Sequence, residues 1–223
     1  MGRLRTVNAI AAGAVILVLS GCDGSFNSDD SNKINGSVNV PDGKPAADAR
    51  TVNGSIRVDD NATIASGGTV NGNIHLGAHS SAASVQSVNG GISLDAGAHV
   101  SGAVGSVNGA LTLADGAEVL GGLSNVNGKI SLTGAHVASG IKTVNGSMSI
   151  MGASRVEGGI LVAQGSGGLF LSENPLIVIG PGATVEGELR FEHKVRLYVS
   201  DTASIGTVIG ATPVPFTGDN PPP

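Results

Sequence analysis

Thr51-Val52-Asn53-Gly54-Ser55-Ile56-Arg57-Val58 returns, lightly edited, along most of a 223-residue chain. Its Val-Asn-Gly step recurs at Val70-Asn71-Gly72, Val88-Asn89-Gly90, Val107-Asn108-Gly109, Val126-Asn127-Gly128 and Val144-Asn145-Gly146, after an earlier Ile34-Asn35-Gly36. Successive copies lie 18, 18, 18, 19, 19 and 18 residues apart. Self-similarity at one short, nearly fixed period marks a solenoid, in which each unit buries its apolar face against the next.

Within the unit, Val52, Ile56 and Val58 share one parity, with Gly54 between them, and Asn53, Ser55 and Arg57 share the other. That alternation is a strand with one apolar face, and it predicts Val52 and its equivalents in the core. A second phrase, Gly-Ala-x-Val, follows at Gly97-Ala98-His99-Val100, Gly116-Ala117-Glu118-Val119 and Gly134-Ala135-His136-Val137. A third apolar position comes at Val104, Leu123 and Ile141. Three short faces of about six residues make one coil.

Asn-Gly is also a hairpin signal. A meander, however, would need two turns per unit and would set unlike residues opposite each other. Parallel coils put Val on Val and Asn on Asn, about 4.8 Å apart. The fold expected is therefore all-β: a single-stranded, three-sided parallel β-helix of about ten coils of 18–19 residues. Asn35, Asn53, Asn71, Asn89, Asn108, Asn127 and Asn145 are expected to stack as a ladder, with Gly allowing the bend. Extra residues, where the interval becomes 19, are expected in bends.

Composition agrees. The chain has 36 Gly, four Phe, one Tyr and no Trp, so its apolar fraction is small and β-branched, suited to a thin interior. Apolar periodicity and a modest charge of −5 argue against disorder over residues 34–210. Without Arg3 and Arg5, 10 basic and 17 acidic side chains remain, for −7, and with no basic cluster the chain is not expected to bind nucleic acid.

Residues 1–21 read as a secretory signal, with Arg3 and Arg5 ahead of the apolar run Val7–Leu19, which is too short to span a membrane with confidence. Leu19-Ser20-Gly21-Cys22 resembles the bacterial lipobox. The resemblance implies a lipidated Cys22 at the start of the mature chain and a membrane as partner, each buried methylene adding about 0.8 kcal/mol. It implies a bacterial cell-envelope location: the periplasmic side of the inner membrane if Asp23 acts as a retention signal, otherwise the outer membrane. Cys22 is the only cysteine, so no disulfide is expected. Residues 22–33 read as the lipidated Cys and a flexible tether.

The β-helix domain is expected over residues 34–210. Asn-Gly repeats fill 34–162, with Pro41 and Pro45 marking a degenerate first turn that caps the end. An irregular loop follows at 163–178. Six-residue aliphatic steps at Ile179, Val185, Phe191, Leu197, Ala203 and Ile209 then form C-terminal coils and a cap over 179–210. Residues 211–223 read as a Pro-rich disordered tail.

The column most suggestive of chemistry is the x of Gly-Ala-x-Val: His79, His99, Glu118 and His136, with Thr63 before and Ser154 after. His and Glu are competent metal ligands, yet four residues spread along about 14 Å cannot converge on one ion, so these are weak candidates and no metal or other cofactor is expected. Thr51, Thr69, Ser87, Ser106, Asn125 and Thr143 form a hydroxyl-rich column, read as ordinary strand solvation rather than an ice-binding face. The acids Asp59, Asp60, Asp95, Asp115 and Glu157 are scattered, as are Arg57 and Lys129. The clustered acids and groove base of a β-helical polysaccharide lyase are not visible, and catalysis is not expected.

Units such as Val52–Val58 and Gly97-Ala98-His99-Val100-Ser101-Gly102 resemble two bacterial groups, the bactofilins and an adhesin-type family with Asn-Gly-rich β-helix repeats. The resemblance covers residues 34–210 and implies a right-handed, three-sided β-helix, without supplying catalytic residues. From the bactofilins it implies self-assembly as a scaffold; the signal and lipobox depart from that cytoplasmic family. The function expected is a non-catalytic, lipid-anchored rod whose surface makes structural or adhesive contacts, with an envelope protein or glycan along one face. The alternatives are a self-assembling scaffold and a polysaccharide-binding or lyase-type β-helix.

Overall fold

The computed structural model describes residues 32–165 and 174–221. Those residues form strands and connections, without a helix, wound as a parallel β-solenoid of about ten coils. The first face is a ten-stranded sheet whose strands include Val38–Val40, Ile56–Val58, Ile74–Leu76 and, at the far end, Val214–Phe216. Ten strands at the usual spacing give a rod about 43 Å long. The second and third faces share a sixteen-stranded sheet. Early coils cross both faces in one nine-residue strand, as at Thr63–Asn71 and Ser81–Asn89. In the next coil that ribbon divides into His99–Val100 and Val104–Asn108.

The division marks where a residue is inserted. Ala82 pairs with Val100, an offset of 18, but Val85 pairs with Val104, an offset of 19. The extra residue therefore sits in the bend at Ser101–Ala103, and the aliphatic columns keep their alignment on either side.

Each face sends one or two columns inward. Ile74, Ile92, Leu111 and Ile130 stack in register, as do Leu76, Leu94, Leu113 and Leu132, all at most 1% exposed. Val100, Val119, Val137 and Val156 supply the second face, and Val85, Val104, Leu123 and Ile141 the third. Small side chains, Ala62, Ser80, Ala98, Ala117, Ala135 and Ser154, fill a corner between them.

The expected phase of the Val-Asn-Gly strand is corrected. Val52, Val70, Val88, Val107, Val126 and Val144 are half-buried on the outside, while Thr51, Thr69, Ser87, Ser106, Asn125 and Thr143 are buried, at most 3% exposed. Thr51 and Ile56 are five positions apart, an odd step, and both point inward. The bend at Gly54-Ser55 reverses the parity, so alternation counted through the corner gives the wrong face.

The chosen boundaries also shift. Asn32–Asn35 is already a strand, pairing with the chain at Arg50–Asn53, so the β-structure begins before residue 34 and takes in the last residues of the expected tether. Pro45 opens a nine-residue strand, a position where its missing N–H is tolerated. The loop expected over 163–178 ends by Leu176–Ile179, a strand of the first face. The expected tail contributes the last strand: Val214–Phe216 pairs with Tyr198–Ser200 and buries Phe216. Proline fits there because an edge strand can leave one side of its backbone unpaired. Ile209 is 40% exposed, and it is Val208 that packs against the core. Residues 1–21, expected as a signal, together with Cys22, Asp23 and the expected tether as far as Ser31, lie outside the described residues.

Candidate functional site

Three polar columns run along the rod. The first is the Asn ladder at the corner between the third and first faces. Asn53 Nδ2 donates to Asn35 Oδ1 at 2.9 Å, and the step repeats from Asn71, Asn89, Asn108, Asn127 and Asn145, at 2.8–3.0 Å. The Gly that follows each Asn is dictated by closeness. A Cβ on Gly54, Gly72, Gly90, Gly109, Gly128 or Gly146 would lie closer than 3.0 Å to the carbonyl oxygen of the preceding coil's glycine.

The second column is the buried hydroxyl set. Thr51, Thr69, Ser87 and Ser106 each donate to the carbonyl of the preceding coil's Asn-Gly glycine, at 2.9–3.3 Å, and Asn125 Nδ2 does the same to Gly109. A backbone acceptor inside the corner is thereby satisfied without water. Thr143 breaks the pattern: its Oγ1 accepts from Gly146 N at 3.0 Å. Asn125 Oδ1 is buried without a partner among the described residues.

The third column is the candidate metal set, and the structure changes its membership. In register on the second face stand Ser81, His99, Glu118, His136, Arg155 and Thr184. His79 is not among them. It occupies a bend with φ of 55°, one coil before Gly97 and one after Asn61, all in the left-handed region. The phrase Gly77-Ala78-His79 looks like Gly97-Ala98-His99 but is set two residues out of phase with it. Ser154 is likewise corrected: it is buried beneath the column, its Oγ donating to Met151 O, and Arg155 takes the surface position.

The remaining side chains form a continuous chain. His99 Nδ1 lies 2.9 Å from Glu118 Oε2, and His136 Nδ1 lies 3.1 Å from Glu118 Oε1. His136 Nε2 meets Glu157 Oε1 at 3.2 Å, and Arg155 bridges Glu157 and Glu186 at 3.5 and 2.7 Å. A neutral imidazole has one N–H and donates to one of these carboxylates at a time; an imidazolium donates to both. His99 and His136 stand two coils apart on opposite sides of Glu118, about 9.6 Å along the axis. Among the described residues no three His, Cys, Asp or Glu side chains are grouped to hold a metal ion. What this arrangement does chemically is link five coils across an exposed face by charge-assisted hydrogen bonds.

Sequence reading missed Arg155, Glu157 and Glu186. Glu157 stands among the scattered acids until the register is known; parity from Arg155, itself stacked on His136, would have placed it beside the column. The hydrogen bond from His136 holds the Glu118 carboxyl below the usual glutamate range; partial burial opposes that shift and His99 reinforces it. A lowered folded-state value means that Glu118 adds stability above its unfolded value near 4.3, and that this is lost as pH falls through the lower folded value. The stability difference between the native chain and Glu118→Gln should therefore be present at pH 6 and vanish on acidification well below about 4. Urea midpoints across that range check it, and a difference independent of pH would contradict it.

In comparison with known proteins, no family model, curated sequence or solved structure matches the chain. The parallel β-solenoid is therefore the class defined by the coordinates alone.

Proposed function

We propose that the chain is a non-catalytic, lipid-anchored rod of the bacterial envelope, held to a membrane through Cys22 and making structural or adhesive contacts along its faces. The observation that carries the reading is the use made of the polar columns. The Asn ladder, the buried hydroxyls and the His99–Glu186 chain each bond one coil to the next. Side chains that in an enzyme would converge on a substrate are here committed to the long axis, as a rigid spacer or display surface requires. The lipobox ahead of the first strand puts the anchor at one end of that axis.

Cys22→Ala should move the protein from the membrane fraction to the soluble fraction of a bacterial host; retention of the variant in membranes would refute the anchor. Purified chain lacking residues 1–21 should be retained by isolated envelope material without altering it. Turnover of a polysaccharide would replace the reading by a carbohydrate-active enzyme. Concentration-dependent filaments would replace it by a self-assembling scaffold.

A further inference from the structure

The seven Asn-Gly steps are chemically vulnerable. Glycine has no side chain to hinder its own nitrogen, which can attack the preceding asparagine amide. The fold does not protect all seven equally. At Asn71, for example, Nδ2 donates to Asn53 Oδ1, Oδ1 accepts from Asn89 Nδ2, and Gly72 N donates to Asn89 O at 3.1 Å. Asn53, Asn89 and Asn108 are held by the same three bonds. For the glycine nitrogen to reach the amide carbon, two coils would have to part.

Asn145 is held differently. Its Nδ2 donates to Asn127 Oδ1 at 2.8 Å, but among the described residues nothing donates to its Oδ1. The next coil pairs Thr143 with Val162, which puts Gln164, not asparagine, at the following ladder position. Gln164 uses its backbone N–H on Glu192. Gly146 N is engaged by the Thr143 hydroxyl within its own turn, not by a neighbouring coil. Parallel pairing is also shorter here: the register of the third face runs through Leu123–Ile141 and Ser124–Lys142, and past it Asn145 N donates to Val126 O at 2.8 Å while Gly146 N donates to no neighbouring coil among the described residues.

We propose that Asn145–Gly146 is a site of spontaneous deamidation directed by the fold, and that the ladder holds back the asparagines before it. The Gly146 nitrogen gives up its proton and bonds to Asn145 Cγ. The Cγ–Nδ2 bond breaks, and Nδ2 leaves as ammonia with that proton. Water then opens the cyclic imide at either carbonyl, leaving aspartate or isoaspartate; the net change is one water consumed and one ammonia released. Solvent water is the only co-reactant. Loss of Nδ2 also removes the donor to Asn127 Oδ1. Gly128 N makes no hydrogen bond among the described residues, so Asn127 becomes the next vulnerable step and modification advances toward the N-terminus.

The sequence supplies an internal control. Asn53 and Asn145 both sit in Thr-Val-Asn-Gly-Ser, and trypsin releases them in separate peptides, 51–57 and 143–155, each with a single asparagine. The folded full chain is aged at mildly alkaline pH, digested, and each peptide scored for the mass gain of NH replaced by O and for isoaspartate. Peptide 143–155 should convert severalfold faster than 51–57. In a chain aged in denaturant the two should convert at the same rate, which assigns the difference to the fold. Equal rates in the folded chain, or a lead by 51–57, would overturn the proposal. So would an unmodified 143–155 over a period in which the denatured chain converts.

Discussion

Gly90→Ala should lower the unfolding free energy by about 3 kcal/mol, the upper end of what an added methyl costs in a closely packed interior. The added carbon would land on the Gly72 carbonyl, with the Asn73 backbone nitrogen close behind, and neither is the free end of a side chain that could swing away. Relief requires two coils to separate, and every column crossing that junction then lengthens with it. Gly43→Ala is the matched comparison. A Cβ there meets nothing within 4 Å, and only its φ of 64° opposes the change, a cost of about 1 kcal/mol. Urea unfolding of both variants separates the two causes. If Gly90→Ala were no worse than Gly43→Ala, close approach would not be the reason for the Gly column.

Leu113→Ala should cost a similar amount, about 3 kcal/mol, from lost burial and the space left behind. Leu113 is 1% exposed and sits between Leu94 above and Leu132 below, in a column where every neighbour is pinned by its own strand. A globular core can collapse part-way into such a space; a stack of hydrogen-bonded coils has less freedom to do so. Because coupling passes between nearest neighbours, the defect should loosen adjacent coils first. Hydrogen exchange should show the loss of protection greatest around residues 92–132 and weaker toward either end, whereas uniform loss would mean that the rod unfolds as one unit.

The architecture was legible because it rests on a repeat. Coil length, strand order and parallel pairing all follow once Asn53, Asn71 and Asn89 are set on one another, and so does the placing of the extra residue in a bend. The inside-outside assignment of the Val-Asn-Gly strand was not legible, since alternation holds within a strand but is reset by a corner whose geometry the sequence does not state. That is why Val52 is outside and Thr51 inside. The candidate column was legible in part. His99, Glu118 and His136 follow from their phrase, but His79 carries the same phrase out of phase, and only backbone register separates it from Ser81. At the C-terminal end, Phe216 could not be read as core from a segment so rich in proline, because the sequence does not show that its strand lies at a sheet edge.

The Asn ladder has a direction. Each rung from Asn53 to Asn145 donates Nδ2 toward the N-terminal end, each rung from Asn35 to Asn127 accepts on Oδ1 from the other side, and the buried hydroxyls at Thr51, Thr69, Ser87 and Ser106 point the same way. Strand dipoles in a sheet largely cancel, but these side-chain dipoles add head to tail, each polarising the next. The rod thus has an electrical polarity, with positive N–H groups facing the Asn35 end and negative oxygens facing the Asn145 end, and its two ends offer different chemistry to whatever meets them.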